Sequence, residues 1–316
     1  MRRTISLLTL AVVLTFTMLS GGCQRKPEGE KKVVIGLAVP SLSHPFFIYL
    51  KNNVVDEAKK LDVEVIAADA GDVAAKQMSI IEDFIVKGVD GILISPIGAD
   101  ALIPAVESLN QAKIPVATVD RKVNAGDVLI HVGADNVEGG RVAARYLIDK
   151  LGGKGKVIEL EGTPGASPAI DRKKGFEEEI AQSEIRIIAS QPADFQRAKG
   201  QSVMENLLQA HGDIQGVYGA NDEMILGAIE AMESHGVDAS RVVTVGYDAI
   251  PDALEYIKTG KLNATIEQYP GEQARKALRF LVAHIQQGTA PPSAEVYITP
   301  VAIDNSNIDK AEHKID

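Results

Sequence analysis

Cysteine and tryptophan are almost absent from this sequence, which contains one Cys and no Trp in 316 residues. A chain with a single thiol cannot form an internal disulfide or a zinc site built from several cysteines. Positive charge is also scarce, because 33 Lys and Arg residues against 43 Asp and Glu residues give a formal net charge of −10. Since an acidic surface repels phosphate backbones, we expect no nucleic-acid partner.

Motifs for catalysis and for cofactor binding are missing as well. No G-x-x-x-x-G-K-[ST] motif occurs, and the string closest to G-x-S-x-G, residues 165–169, ends in alanine. The six histidines are scattered without a close-spaced pair of metal ligands. Ser43, His44 and Asp120 could supply a nucleophile, a base and an orienting acid, but they lack that motif context. We therefore expect no enzyme activity, no cofactor and no metal.

The longest apolar run lies at the N-terminus. Residues 5–19 are apolar apart from a few Ser and Thr, follow Arg2 and Arg3, and are too short for the about 20 residues that span a membrane. This order predicts a signal peptide over residues 1–22. Because Gly22 directly precedes Cys23, the site resembles the lipobox of bacterial lipoproteins, which predicts a lipidated Cys23 and a charged tether over residues 23–32. An ordinary secretory signal that is cut nearby is the alternative.

From Val33 onward, short β-rich runs alternate with amphipathic stretches. Ten runs have the composition of buried parallel strands, and they begin at residues 33, 63, 91, 115, 128, 156, 185, 216, 242 and 263. The intervening helices are predicted over residues 46–61 and 73–87, and from near residues 137, 170, 197, 223 and 251. This alternation predicts doubly wound parallel sheets. Ten strands favour two α/β lobes with a boundary near residues 133–136, and a cleft at the carboxyl ends of the strands.

Side chains that follow these predicted strands are the candidates for the cleft. They are His44, Phe46, Phe47, Asp120, Arg121, Arg172, Phe195, Asn221, Asp248 and Gln268. Phe46 and Phe47 suit the flat face of a sugar ring, although an isolated pair of this kind also packs well in a core. Asp120 and Arg121 offer an acceptor and a donor side by side to a hydroxyl group, and a surface salt bridge is the alternative.

The charges of the candidate set also bear on its ligand. Asp120 and Asp248 balance Arg121 and Arg172, which is consistent with a neutral ligand held by hydrogen bonds. A zwitterion would satisfy the same balance, so charge alone does not separate a sugar from an amino acid. The shared position of these residues just past predicted strands favours a functional set over separate caps and turns.

Several motifs resemble one family over nearly the whole chain after residue 32. They are HPFF, VDRK, DNVEGG, VIELEG, SQPADF, NLLQAHGDIQGVYGANDEM and ATIEQ. The chain thereby resembles the periplasmic sugar-binding proteins of the ribose type, which are the soluble receptors of ABC importers. The resemblance implies a type I periplasmic binding protein fold, in which a three-stranded hinge joins two doubly wound parallel-sheet lobes. The N-terminal lobe would comprise residues 33–134 plus 269–297, and the C-terminal lobe residues 135–268 plus 298–316.

The resemblance also implies a function for the candidate residues. Phe46 and Phe47 would stack on one face of a monosaccharide and Phe195 on the other, and the polar candidates would bind its hydroxyls and ring oxygen. D-ribose is the first expectation, with allose, psicose, xylose and galactose as alternatives. His44 stands where the ribose pattern has Asn, which is either a change in specificity or simple drift at the rim. The implied partners are an ABC permease or a chemoreceptor, and a membrane through lipidated Cys23, for a protein that is itself monomeric.

Overall fold

The computed structural model describes residues 32–238 and 241–314. The predicted signal peptide, Cys23 and nearly all of the predicted tether lie outside the described residues. Within the described part of the chain, every helix is too short or too polar to cross a lipid bilayer.

Strands and helices alternate along most of the chain. The strands are β1 (Val34–Val39), β2 (Glu64–Asp69), β3 (Gly91–Ile94), β4 (Val116–Val119), β5 (Ile130–Ala134), β6 (Lys154–Glu161), β7 (Glu184–Pro192), β8 (Gly216–Gly219), β9 (Val243–Tyr247), β10 (Ala264–Glu267), β11 (Glu295–Ile298) and β12 (Val301–Ile303). The helices are α1 (Pro45–Lys60), α2 (Ala74–Lys87), α3 (Ile103–Gln111), α4 (Asn136–Leu151), α5 (Ser167–Ile180), α6 (Arg197–Ala210), α7 (Asp222–Ser234), α8 (Pro251–Lys258) and α9 (Pro270–Gln287). All ten strands predicted from the sequence are therefore present.

The strands form two sheets of six. The first has the order β11-β5-β4-β3-β1-β2, and all of its paired strands are parallel. The second has the order β12-β10-β9-β8-β6-β7 and is parallel except for β12, which runs antiparallel to β10. The inner strands β3, β4, β8 and β10 are buried along their whole length, as expected where helices cover both faces. The prediction of two parallel-sheet α/β lobes is confirmed.

Each sheet has its own apolar core. In the first lobe, α1 and α9 pack on the sheet through side chains such as Phe47, Leu50 and Leu278. In the second lobe, Phe176 of α5 stacks on Tyr218 of β8 with ring centroids 4.2 Å apart. The chain passes between the sheets three times: from β5 to α4, from β10 to α9, and from β11 to β12.

Glu267 ties two segments together at the second of these crossings. It is fully buried at the end of β10, where one carboxylate oxygen accepts the Tyr269 N–H at 2.6 Å and the other accepts the Glu312 N–H at 2.7 Å. Tyr269 adopts a left-handed conformation, with φ of 57°. Glu312 in turn accepts the Gly271 N–H at 2.6 Å. The C-terminal segment is thereby fastened to the crossing between β10 and α9.

Replacing Glu267 with glutamine is expected to lower the free energy of unfolding by about 1–3 kcal/mol, because the amide turns an N–H toward one of two buried N–H donors. The exposed pair of Glu272 and Lys276 on α9 offers the control variant Glu272→Gln. Denaturant unfolding of both variants measures the difference. Equal unfolding midpoints would show that Glu267 does not stabilise the crossing.

Candidate functional site

A single pocket brings together all ten candidate residues. Its lining comprises His44, Phe46, Phe47, Asp120, Arg121, Arg172, Phe195, Asn221, Asp248 and Gln268, and only Pro168 in addition. The pocket is narrow, with a cavity volume of about 20 Å³, and lies where the carboxyl ends of both sheets meet. Pro168 is the second residue of α5. It was missed because it precedes the predicted start of that helix, and an isolated proline carries no chemical signal for a site.

Local backbone geometry points several of these side chains into the pocket. Asp120, Phe195 and Asp248 follow β4, β7 and β9 and have φ values of 63°, 61° and 110°. Residues other than glycine rarely adopt this left-handed region, and they do so mainly where the surrounding structure forces them. The strands therefore end in sharp turns that present an acid, an aromatic ring and a second acid to the cleft.

Arg172 is held rigidly at the second-lobe side of the pocket. Its Nε donates to Asn136 Oδ1 at 2.9 Å, and its Nη1 donates to the Ala220 carbonyl at 2.7 Å. The guanidinium carbon lies 3.6 Å from the centroid of the Tyr247 ring, a cation–π arrangement. These three contacts fix the plane of the guanidinium before any ligand arrives.

Asp248 lies beside this guanidinium. Its Oδ1 is 3.5 Å from Arg172 Nη1 and accepts a hydrogen bond from Gln268 Nε2 at 2.6 Å. Burial raises the pKa of Asp248 to about 7, although Arg172 opposes that shift. The second carboxylate oxygen has no such partner within the described residues, so it is available to a hydroxyl donor.

Asp120 and Arg121 form the matching pair in the first lobe. Asp120 Oδ2 accepts from Ser95 Oγ at 3.1 Å and lies 3.7 Å from Arg121 Nε. Arg121 is placed between two rings, with its guanidinium carbon 5.3 Å from the Phe47 centroid and 5.4 Å from the Phe195 centroid. Since Asp120 and Arg121 are only 4% and 6% exposed, the alternative of a surface salt bridge is wrong.

Phe46 and Phe47 pack in the core, as one of the two interpretations expected, and they also reach the pocket. The rings meet edge to face with centroids 5.1 Å apart, and both belong to the apolar core of the first lobe. The same two residues also line the pocket. Core packing therefore fixes the rings that a ligand would contact.

His44 and Asn221 meet across the pocket. His44 Nε2 lies 2.9 Å from Asn221 Nδ2, while His44 Nδ1 accepts the Phe46 N–H at 3.2 Å and caps α1. Burial, together with the nearby guanidiniums of Arg121 and Arg172, lowers the pKa of His44 to about 3. The imidazole is therefore neutral at ordinary pH.

These contacts do not form a hydrolytic triad. Ser43 Oγ is paired with Ser41 Oγ at 2.8 Å, and the ring nitrogens of His44 are engaged by Phe46 and Asn221. Within the described ranges, no group of three or more His, Cys, Asp and Glu residues is arranged to hold a metal ion.

Two glycines set the position of Arg172 by letting α4 and α5 approach closely. A methyl group on Gly140 would lie 2.1 Å from the Arg172 carbonyl oxygen, and one on Gly175 would lie 1.8 Å from the Val137 carbonyl oxygen. Both distances are far too short for a carbon and an oxygen in contact. The close packing of these helices is what brings Asn136 within hydrogen-bond distance of Arg172.

Gly175→Ala is expected to lower the free energy of unfolding by about 1–3 kcal/mol, because the two helices must separate to admit the methyl group. The control is Gly212→Ala, since nothing lies within 4 Å of the added methyl group there. Thermal unfolding of the two variants gives the comparison. Equal unfolding midpoints would mean that α4 and α5 can separate without loss of stability.

Comparisons with known proteins agree in family and fold. A family model described as a periplasmic binding protein domain matches residues 35–290. The ribose import binding protein of Bacillus subtilis is 46% identical over 271 residues, covering 83% of this chain and 88% of that protein.

Two solved structures share the fold. The Caulobacter myo-inositol binding protein, bound to myo-inositol, has a TM-score of 0.85 and 33% identity, covering 90% of this chain and 97% of that one. A periplasmic solute binding protein of Actinobacillus succinogenes with bound D-allose has a TM-score of 0.82 and 33% identity, covering 88% of this chain and 99% of that one.

Proposed function

The chain belongs to the family of periplasmic binding protein domains, and from that premise we propose that it is the sugar-binding component of an ABC importer and binds D-ribose. It is not an enzyme, as its relatives are substrate-binding proteins of importers. The observation that carries the proposal is the convergence of ten side chains from both lobes on one pocket.

The chemistry of the pocket suits a monosaccharide. Phe47 and Phe195 provide apolar surface for the ring carbons, while two carboxylates and two guanidiniums supply acceptors and donors for hydroxyl groups. The opposite charges balance within the pocket, so a neutral ligand leaves no net charge buried. Allose, psicose, xylose and galactose are the alternative ligands, and the D-allose and myo-inositol complexes of two structural neighbours support keeping six-carbon ligands in the comparison.

Delivery would depend on closure of the lobes around the sugar. Only the closed form would present both lobe surfaces together to the permease, so the sugar would control delivery by shifting the population. The three crossings between the sheets support lobes close to the expected 33–134 plus 269–297 and 135–268 plus 298–316, with the last boundary moved past Ile298, which pairs with Ala134 in the first sheet. We further propose that the protein is exported and held at a membrane by lipid on Cys23, which labelling of the parent and Cys23→Ser with a fatty-acid probe tests.

A thermal-shift screen tests the proposed ligand. The purified protein is heated with D-ribose, D-allose, D-psicose, D-xylose, D-galactose, myo-inositol and several amino acids. A ligand at about 1,000 times its dissociation constant stabilises the folded protein by about 4 kcal/mol, so the shift of the native ligand should be large. We expect the largest shift with D-ribose and none with amino acids. The absence of a shift with every sugar would contradict the proposal.

A further inference from the structure

The contact between His44 and Asn221 joins the two lobes directly. His44 precedes α1 in the first lobe, and Asn221 precedes α7 in the second. Their side-chain nitrogens, Nε2 and Nδ2, are 2.9 Å apart, which is hydrogen-bond distance. Whether this contact is attractive depends on where each side chain carries its protons.

The proton position on His44 follows from its cap. Its Nδ1 accepts the Phe46 N–H, so this nitrogen must carry a lone pair. A neutral imidazole has one lone-pair nitrogen and one N–H nitrogen. The hydrogen-bond network therefore assigns the proton to Nε2, which is the nitrogen that faces Asn221.

The amide orientation of Asn221 is fixed in the same way. Its Oδ1 accepts the Met224 N–H at 2.9 Å and caps α7, and its Nδ2 donates to the Phe195 carbonyl at 3.2 Å. The group that faces His44 is therefore an amide N–H. Two donors meet across the cleft, with no acceptor between them.

Neither side chain can reverse its role without losing other hydrogen bonds. Moving the imidazole proton to Nδ1 would place it against the Phe46 N–H and remove the cap of α1. Turning the Asn221 amide over would break its bonds to both Met224 and Phe195. An unsatisfied buried donor costs more than a typical hydrogen bond gains. In a closed cleft without ligand, every choice of His44 tautomer and Asn221 amide orientation therefore leaves at least one buried donor unsatisfied.

We propose that His44 and Asn221 form a donor pair that opposes closure of the empty cleft and is satisfied by one ligand oxygen that accepts hydrogen bonds from both. This inference rests on the proposed function. A sugar hydroxyl or ring oxygen has two lone pairs, so it can accept from His44 Nε2–H and from Asn221 Nδ2–H at once. His44 thereby makes closure depend on an oxygen acceptor at this position of the ligand.

His44→Gln tests the donor pair, because the amide oxygen of glutamine can accept from Asn221 directly. Small-angle scattering of the purified protein, with and without saturating D-ribose, reports closure as a fall in the radius of gyration. We expect the parent to contract when D-ribose is added, and the sugar-free His44→Gln protein to be more compact than the sugar-free parent. The control is His284→Gln, on α9 and outside the pocket, which should match the parent.

Equal radii for the sugar-free parent and His44→Gln would overturn the donor pair while leaving the proposed function intact. If no sugar in the panel contracts or thermally stabilises the parent, the proposed function fails instead. The two failures are therefore distinguishable.

The tautomer can be measured without any sugar. Long-range ¹H–¹⁵N spectra of histidine-labelled protein, recorded at about pH 8, distinguish the Nε2–H form from the Nδ1–H form. The six histidines give six spin systems, and the one lost in His44→Gln belongs to His44. We expect the Nε2–H form, whereas the Nδ1–H form would make His44 an acceptor toward Asn221 and contradict the inference.

Discussion

Replacing Arg172 with methionine is expected to weaken D-ribose binding by about tenfold to a hundredfold. A hydrogen bond to a charged group contributes about 1.5–3 kcal/mol, and each 1.4 kcal/mol is about a factor of ten in affinity. Arg172 is 2% exposed, and its loss removes the side-chain donor of the Ala220 carbonyl, one of the two donors to Asn136 Oδ1, and the cation beside Asp248. Calorimetric titration measures the affinity, and thermal unfolding shows whether the variant is folded.

Arg141→Met is the matched control for this prediction. Arg141 lies on α4, and its ion pair with Glu178 is on the surface, where such pairs contribute about 0–1 kcal/mol. Its removal should leave D-ribose affinity unchanged. A folded Arg172→Met protein that binds D-ribose as tightly as the parent would remove Arg172 from the site.

The second large effect is on pH dependence. In this structure burial, together with the guanidiniums of Arg121 and Arg172, lowers the pKa of His44 from its ordinary 6.5 to about 3. We expect opening of the cleft to return the imidazole to water, so that the open form binds a proton that the closed form excludes. Closure is therefore unaffected by this group above pH 6.5 and becomes weaker as the pH falls toward 3. Between about pH 7.5 and pH 5.5, D-ribose affinity of the parent should fall about tenfold relative to His44→Gln.

The D-ribose affinity of the parent is divided by that of His44→Gln because other pocket groups titrate too. Burial raises the pKa values of Asp120 and Asp248. Closure that buries these acids therefore takes up protons and is favoured at low pH, which is opposite to the effect of His44. These acids are present in both proteins and cancel in the ratio, as do the neighbouring Arg121, Arg172 and Arg197. A ratio that stays constant from pH 7.5 to 5.5 would mean that His44 does not change its environment on closure.

Sequence patterns predicted the repeating part of the fold well. Strands such as β3 and β8 are short, apolar and bounded by turn residues, and their burial on both faces leaves a clear signal. Strands β11 and β12 and helices α3 and α9 were not placed by the residue pattern. In β11 the side chains are mostly exposed or half-buried, so its sequence, EVYI, lacks the apolar run of an inner strand.

The sequence predicted which residues line the pocket, but it did not predict the contacts between them. The rule that polar residues after parallel strands share one edge located Asp120, Asn221 and Asp248. No such rule could show that Phe46 and Phe47 serve the core and the pocket together. The donor pair of His44 and Asn221 was also invisible, because it joins residues far apart in sequence and depends on two helix caps.

A crystal structure of the protein grown with D-ribose tests the central claim most directly. We predict one sugar between the two lobes, with Phe47 and Phe195 on opposite faces of its ring, and with hydroxyls that donate to Asp248 and accept from Arg172. One of its oxygens should lie within hydrogen-bond distance of both His44 Nε2 and Asn221 Nδ2. A closed cleft without sugar, or a sugar bound elsewhere on the molecule, would contradict the account.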